Sequence, residues 1–265
     1  SLHMQRNMQV ILFEQVTQVA IDLYSGRLKL SEEELMALRG SQLNPALEEI
    51  KPLSVIIVGQ INAGKSSLIN ALKQQCVAEI DPLPATAGFH YHPMKLSDDL
   101  DVYLIDTPGL DGQADTSKAL LKEALKADLL LWVSQANQPA KALDKQLILQ
   151  WDAYFEENLQ RRKPPILLIT THNDSLPPVG DWHPPYDLND SNSKKVASMK
   201  EALSYTHKSM GLPDESLSIP VSLLPGDASY NIDALHDLLL LISSEARAAQ
   251  LNRQRLDAHE RASVV

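Results

Sequence analysis

The strongest constraint on what this chain can fold into lies at residues 59–66, where Gly59-Gln60-Ile61-Asn62-Ala63-Gly64-Lys65-Ser66 fits the pattern Gly-x-x-x-x-Gly-Lys-[Ser/Thr]. Directly before it, the run Leu-Ser-Val-Ile-Ile-Val at 53–58 reads as a buried strand, and residues 66–74 after it read as a helix. The motif needs that context. A strand that turns tightly into a helix aims successive backbone N–H groups at phosphate oxygens, and the positive end of the helix adds to the attraction. Gly59 and Gly64 permit the turn, Lys65 is placed to reach β- and γ-phosphates, and the Ser66 hydroxyl is placed to ligate Mg²⁺. By chance alone the pattern arises in roughly one chain of this length per hundred, and the strand and helix around it make chance rarer still. A phosphate site on a mainly parallel sheet is the starting expectation.

The chain beyond Pro52 repeats that alternation of short apolar β-rich runs with helical stretches, the mark of βαβ units. Strands are expected at 53–58, 89–96, 101–106, 128–134, 165–170 and 217–221, and helices at 66–74, 116–126, 142–160, 193–210 and 232–256. Two strands in succession, 89–96 and 101–106, predict one antiparallel edge pair joined by the turn Ser97-Asp98-Asp99. No internal repeat is present. Upstream, Met8, Leu12, Val16, Val19 and Leu23 recur at helical spacing, and Ser31 with Glu34 forms a capping box for a second helix, so residues 1–52 read as a helical extension. The first helix carries Glu14 and Asp22 on its polar face with only Arg6 basic, which suits packing on protein better than contact with anionic lipid. Ser1-Leu2-His3-Met4 looks like a tag remnant. The stretch Ser175–Ser193 holds four prolines and reads as a surface loop pinned by Trp182 and Tyr186. The last helix has no stop signal, so 246–265 is expected to be a helical tail cut from a longer protein.

Composition narrows the chemistry. The 265 residues carry 24 Lys+Arg against 34 Asp+Glu, a net charge of −10, which is the wrong sign for a broad phosphate-neutralising surface, so nothing points to nucleic acid. The single cysteine, Cys76, excludes an internal disulfide and the paired-cysteine zinc patterns, and a cytoplasmic location is the expectation. No apolar run reaches the length of a membrane span.

A second acidic element supports the phosphate site. Asp106-Thr107-Pro108-Gly109 closes the strand 101–106, where a carboxylate at the carboxyl end of a sheet strand can hold Mg²⁺ through water and the Gly109 N–H can meet a γ-phosphate. Together, Gly59–Ser66 and Asp106–Gly109 resemble the GTPases of the translation-factor class, most of all the Era- and TrmE-like branch, over about residues 53–245. The resemblance implies an α/β P-loop NTPase three-layer sandwich: a mainly parallel six-stranded sheet with one antiparallel edge strand, here with an N-terminal helical extension. It implies a GTP-binding switch with slow hydrolysis of GTP to GDP and phosphate, Mg²⁺ as cofactor, and a protein effector. Residue by residue, Asn62, Ala63, Gly64, Lys65, Ser66 and Ser67 would hold the phosphates. Thr86, the only threonine between the P-loop and Asp106, would complete Mg²⁺ coordination beside Ser66 and Asp106. Thr171-His172-Asn173-Asp174 stands where the family has Asn/Thr-Lys-x-Asp, so Asp174 would accept the guanine N–H groups and His172 would replace the lysine that covers the base and ties back to the P-loop. Ser222-Leu223-Leu224 stands where a backbone N–H meets the guanine carbonyl.

Hydrolysis is less legible. Lys65, Thr86 and Gly109 are the expected catalytic positions. The glutamine that orients water in Ras-like enzymes is Leu110 here, a departure shared with this branch, which leaves Asp111, Gln113 and Asp115 as nearby candidates. Asn62 stands where potassium-activated members hold K⁺, often with paired G domains. His90 and His92 share a strand face but have no third ligand, and Gly-x-Ser-x-Gly and His-Glu-x-x-His are absent. Three other readings stay open: a nonhydrolysing GTP-dependent assembly module, the G domain of a dynamin-like GTPase that meets membrane through parts absent from this chain, and an ATPase or kinase.

Overall fold

The computed structural model describes residues 51–75, 88–213 and 216–263. The N-terminal helices expected over 1–52, Cys76 and Thr86 lie outside the described residues, apart from Lys51 and Pro52. From Pro52 onward the chain forms one compact unit. Among the described residues, β1 (Leu53–Val58) leads to α1 (Lys65–Gln75), then β2 (His90–Ser97) and β3 (Leu100–Asp106). After these come α2 (Ala114–Ala124), β4 (Leu129–Gln135), α3 (Ala142–Glu157), β5 (Ile166–Thr171), α4 (Lys194–Met210), β6 (Ser218–Pro220) and α5 (Ile232–Ser263).

The six strands form one sheet in the order β2-β3-β1-β4-β5-β6. Only the β2–β3 pair is antiparallel, with β2 on the edge, as the adjacent strand signals and the Asp98-Asp99 turn predict. Period-2 alternation explains the layers. Along β1, Val55 and Ile57 face a core shared with Leu68, Leu72, Leu235 and Leu239 of α1 and α5. Ile56 and Val58 face the opposite core, with Leu120 of α2 and Leu147, Ile148 and Trp151 of α3. A strand apolar on both faces must be central, and β1 is. It lies between β3 and β4, so the chain leaves it in opposite directions on its two sides, and the crevice at its carboxyl end is where α/β sheets place ligands.

Three details differ from the pattern-based boundaries. Helix α2 begins at Ala114, two residues early, because Asp111 supplies its start: Oδ1 accepts from the Gln113 N–H at 2.9 Å and Oδ2 from the Thr116 hydroxyl at 3.2 Å. Helix α3 ends at Glu157, where Asn158 leaves helical geometry and its amide caps the Tyr154 carbonyl at 2.7 Å. Helix α5 runs unbroken through residue 245 to Ser263. Ala246, Ala249 and Gln250 beyond that point are buried. Gln250 and Arg253 there donate to the fully buried Asp128 carboxylate at 3.0 and 2.7 Å, and Ser54 N–H donates to it at 2.7 Å. These helical residues therefore close the amino ends of β1 and β4.

The proline-rich loop before α4 is pinned as its aromatics predict. Trp182, Tyr186 and Tyr230 pack together with ring centroids 5.1–5.8 Å apart, and Trp182 Nε1 donates to the Ala228 carbonyl at 2.9 Å. Among the described residues no helix is long and apolar enough to cross a membrane.

Candidate functional site

The loop between β1 and α1 wraps the carboxyl end of the central strand. Gly59 passes so close to β4 that a side chain is impossible: a Cβ there would lie 2.1 Å from the Val133 carbonyl oxygen. Asn62 adopts a left-handed φ of 63°, tolerable for asparagine, and its carbonyl accepts from Gln135 Nε2 at 2.7 Å. Lys65 opens α1 with its ammonium folded over the loop, donating to the Gly59 and Gln60 carbonyls at 3.3 and 3.1 Å. Burial pushes its pKa down, and the carboxylates of Asp106 and Asp144 pull it back up. Beside it, the Ser66 hydroxyl donates to Asp106 Oδ2 at 3.0 Å. A hydroxyl and a carboxylate converging on one point are hard oxygen donors of the kind Mg²⁺ takes, so this pair fits the metal.

A cavity of about 470 Å³ runs from this loop to the ends of β5 and β6. Its walls are Asn62, Gly64, Lys65, Ser66 and Ser67 on the phosphate side, and Thr171, His172, Asp174, Leu223 and Leu224 on the other. The structure thus brings together residues that lie up to 162 positions apart in sequence, from Asn62 to Leu224. Ala63 and Ser222 support the cavity rather than line it. Ala63 is buried, and its carbonyl accepts from Thr171 Oγ1 at 2.8 Å. Ser222 is buried and exchanges both backbone hydrogen bonds with Tyr230 at 3.1 Å.

The Thr171 hydroxyl has one proton, and it goes to Ala63 O. The 2.9 Å contact between Thr171 Oγ1 and His172 Nδ1 therefore has the imidazole N–H donating. The relay His172 to Thr171 to Ala63 joins the far wall of the cavity to the phosphate loop. Two supports escaped sequence reasoning. Asn173, fully buried, donates from Nδ2 to the Thr170 and Val221 carbonyls at 2.7 and 2.8 Å and so binds the β5 end to β6. Gln60 donates to Asp144 Oδ2 at 2.6 Å, and the other oxygen of that buried carboxylate accepts from Trp132 Nε1 at 2.8 Å. Neither role has a signal in spacing, because each depends on which carbonyls or carboxylates the fold delivers.

Gly109 lies against Ile61 of the P-loop, and Leu110 N–H donates to the Gly59 carbonyl at 3.0 Å. The Leu110 side chain is buried in the core with Ile56 and Val58. Asp111 is engaged at the start of α2, while Gln113 and Asp115 are exposed. On β2, His90 is exposed, and His92 Nδ1 lies 3.1 Å from Lys73 Nζ. Burial and that ammonium lower the His92 pKa. Among the described residues no group of three His, Cys, Asp or Glu could hold a metal ion.

Residues 54–172 match the family described as "50S ribosome-binding GTPase". A tRNA modification GTPase MnmE of Bordetella petrii is 29% identical over 154 residues, covering 49% of this chain and 34% of that protein. A GTPase Era of a Thermoanaerobacter species is 28% identical over 131 residues, covering 46% of this chain and 40% of that protein. The chain thus spans between a third and two fifths of the length of these relatives. Among solved structures, translation elongation factor SelB of Methanococcus maripaludis aligns at 19% identity with a TM-score of 0.48, covering 73% of this chain and 34% of that one.

Proposed function

We propose, for a domain that is a translation-factor-class P-loop GTPase of the Era/TrmE-like branch, that it works as a Mg²⁺-dependent guanine-nucleotide switch with slow intrinsic hydrolysis. The observation that carries this reading is the single cavity with Lys65 and the Ser66–Asp106 pair at one end and Asp174 at the other. In this reading Lys65 and the N–H groups of residues 62–67 hold the phosphates, and Ser66, Asp106 and Thr86 would hold Mg²⁺, which would supply charge neutralisation for the phosphates. The Asp174 carboxylate accepts from the guanine ring N–H and exocyclic amine. Adenine presents a lone pair at that ring nitrogen, and such a buried mismatch discriminates by roughly 10⁴-fold. The backbone N–H of Leu223 meets the guanine carbonyl.

Water attacks the γ-phosphorus in line, and GDP leaves with the electron pair on its β-phosphate oxygen. With Leu110 turned into the core, position 110 supplies no group to orient the water, and in this reading charge stabilisation comes from Lys65 and the Gly109 N–H. K⁺ held at Asn62 would supply the missing charge. Loss of the γ-phosphate releases Thr86 and Gly109, and the reordering of residues 78–90 and 107–117 changes affinity for a protein effector, or for a second G domain. The G domain in this account begins at residue 53 and follows the extension 1–52. The buried Leu110 also favours a second reading, in which GTP drives assembly without turnover.

Calorimetric titration of GDP, a GTP analogue and ADP with Mg²⁺ tests the first reading, with binding of both guanine nucleotides and none of ADP expected. Multiple-turnover phosphate release that disappears in Lys65→Ala separates it from the assembly reading.

A further inference from the structure

Lys195 sits in the first turn of α4, where a cation opposes the helix dipole and so weakens the helix it belongs to. Its side chain is 1% exposed, a burial that lysine tolerates only when its charge and donors are satisfied. All three ammonium N–H groups are spent on one loop. Nζ donates to the carbonyl oxygens of Asp174 at 2.8 Å, Leu176 at 2.5 Å and Pro178 at 3.3 Å. The Trp182 ring covers the ammonium with its centroid 5.4 Å away, an arrangement that adds a cation–π attraction.

These carbonyls begin at the residue whose carboxylate faces the cavity. The backbone on the other side of Asp174 is held independently, by the Asn173 amide on Thr170 and Val221. Asp174 is thus clamped from both sides, to the sheet through Asn173 and to α4 through Lys195. The carboxylate itself meets only the Ser175 hydroxyl, at 3.1 Å, among the hydrogen bonds of this site. Its direction is therefore set by its backbone. We propose that Lys195 is a positioning residue for base specificity: by coordinating the Asp174, Leu176 and Pro178 carbonyls, it aims the Asp174 carboxylate at the guanine N–H and exocyclic amine. Burial lowers the Lys195 pKa, an effect that the Asp174 and Asp181 carboxylates oppose in part.

This inference rests on the guanine reading of the cavity, and the two can fail separately. The test compares GDP, IDP and ADP on the full chain by calorimetry with Mg²⁺. Hypoxanthine keeps the ring N–H and lacks the exocyclic amine, so the GDP-to-IDP affinity ratio reports how well the carboxylate reaches both groups. Wild type is expected to prefer GDP over IDP by about tenfold and to ignore ADP, in line with one hydrogen bond to a charged acceptor. Lys195→Met, which keeps the length of the side chain and removes the donors, is expected to weaken GDP binding by about tenfold and to bring the GDP-to-IDP ratio close to one. Lys195→Gln, with two donors left, should fall between, and it carries the same reading if the methionine variant does not fold. Wild type that binds ADP as well as GDP overturns the guanine reading itself. Wild type selective for GDP over IDP, with the ratio unchanged in either Lys195 variant, overturns the positioning role even if thermal stability falls, because a merely structural lysine lowers stability without moving the ratio.

Discussion

Gly109→Ala tests whether the loop after β3 senses the γ-phosphate by riding on the P-loop. A Cβ at Gly109 would lie 2.6 Å from Ile61 Cα and 2.7 Å from both Ile61 N and Cγ1. Ordinary carbon contacts are about 3.5–4.0 Å, so the loop must retreat by about 1 Å. Two of the atoms it meets belong to backbone, so rotation of the Ile61 side chain cannot relieve the clash. Retreat breaks the pairing that joins the two loops, Leu110 N–H to Gly59 O at 3.0 Å and Ile61 N–H to Leu110 O at 3.4 Å. Losing both costs about 2 kcal/mol of stability. In the proposed reading it also withdraws the Gly109 N–H from the γ-phosphate, and the loss of such a hydrogen bond to a charged group would be worth about 1.5–3 kcal/mol, or about 10- to 100-fold in affinity. GDP has no γ-phosphate, and the walls that hold its base and remaining phosphates are untouched, so its affinity should change by no more than about threefold. Paired titrations with fluorescent GDP and a nonhydrolysable GTP analogue read the difference, single-turnover phosphate release reads the chemistry, and urea unfolding reads the stability. Equal loss for both nucleotides, or an unchanged GTP analogue affinity, would refute the reasoning, since either result means the loop does not report on the third phosphate.

Two further outcomes follow from other parts of the molecule. If Asn62 helps hold K⁺, GTP hydrolysis runs at least about tenfold faster in KCl than in NaCl at equal ionic strength, and Asn62→Ala abolishes the difference; equal rates in the two salts remove K⁺ from the account. Burial is the largest influence on Asp128 and raises its pKa, outweighing the pull of Arg253. The native state then holds this proton more tightly than the unfolded chain, so the contribution is full at low pH and is lost as pH rises through the raised native value. Asp128→Asn should accordingly cost about 1–2 kcal/mol near pH 4 and less near pH 8, measured by urea unfolding. A cost that grows with pH would mean that the pair with Arg253 dominates instead.

What was legible in the sequence divides by the kind of constraint a residue answers to. Gly59–Ser66 could be read because a loop that runs so near β4 that a Cβ at Gly59 would lie 2.1 Å from the Val133 carbonyl oxygen, and then opens a helix, admits few residue types at each step. The central strands could be read because β1 and β4, packed on both faces, are almost wholly apolar, with Ser54 near the start of β1 and Ser134 near the end of β4 as their exceptions before Gln135. Leu110 was visible as a departure from glutamine, but only its burial beside Ile56 shows that it cannot face water. Beyond residue 245 the helix was expected, but its packing role was not legible. Its contacts at Ala246, Ala249, Gln250 and Arg253 do follow helical spacing, but the face is small and polar, and its purpose depends on Asp128, more than a hundred residues away. Asn173 and Lys195 belong to the same class. Each acts by donating to main-chain carbonyls, and every residue has a carbonyl, so no partner type could betray them. The faint mark Lys195 left was a cation in the first turn of a helix, locally unfavourable and therefore compensated elsewhere in the fold. Residues that touch a ligand are chosen by its chemistry and can be found by pattern. Residues that aim them are chosen by the path of the backbone, so the selectivity of this cavity resides partly in side chains that meet only the chain itself.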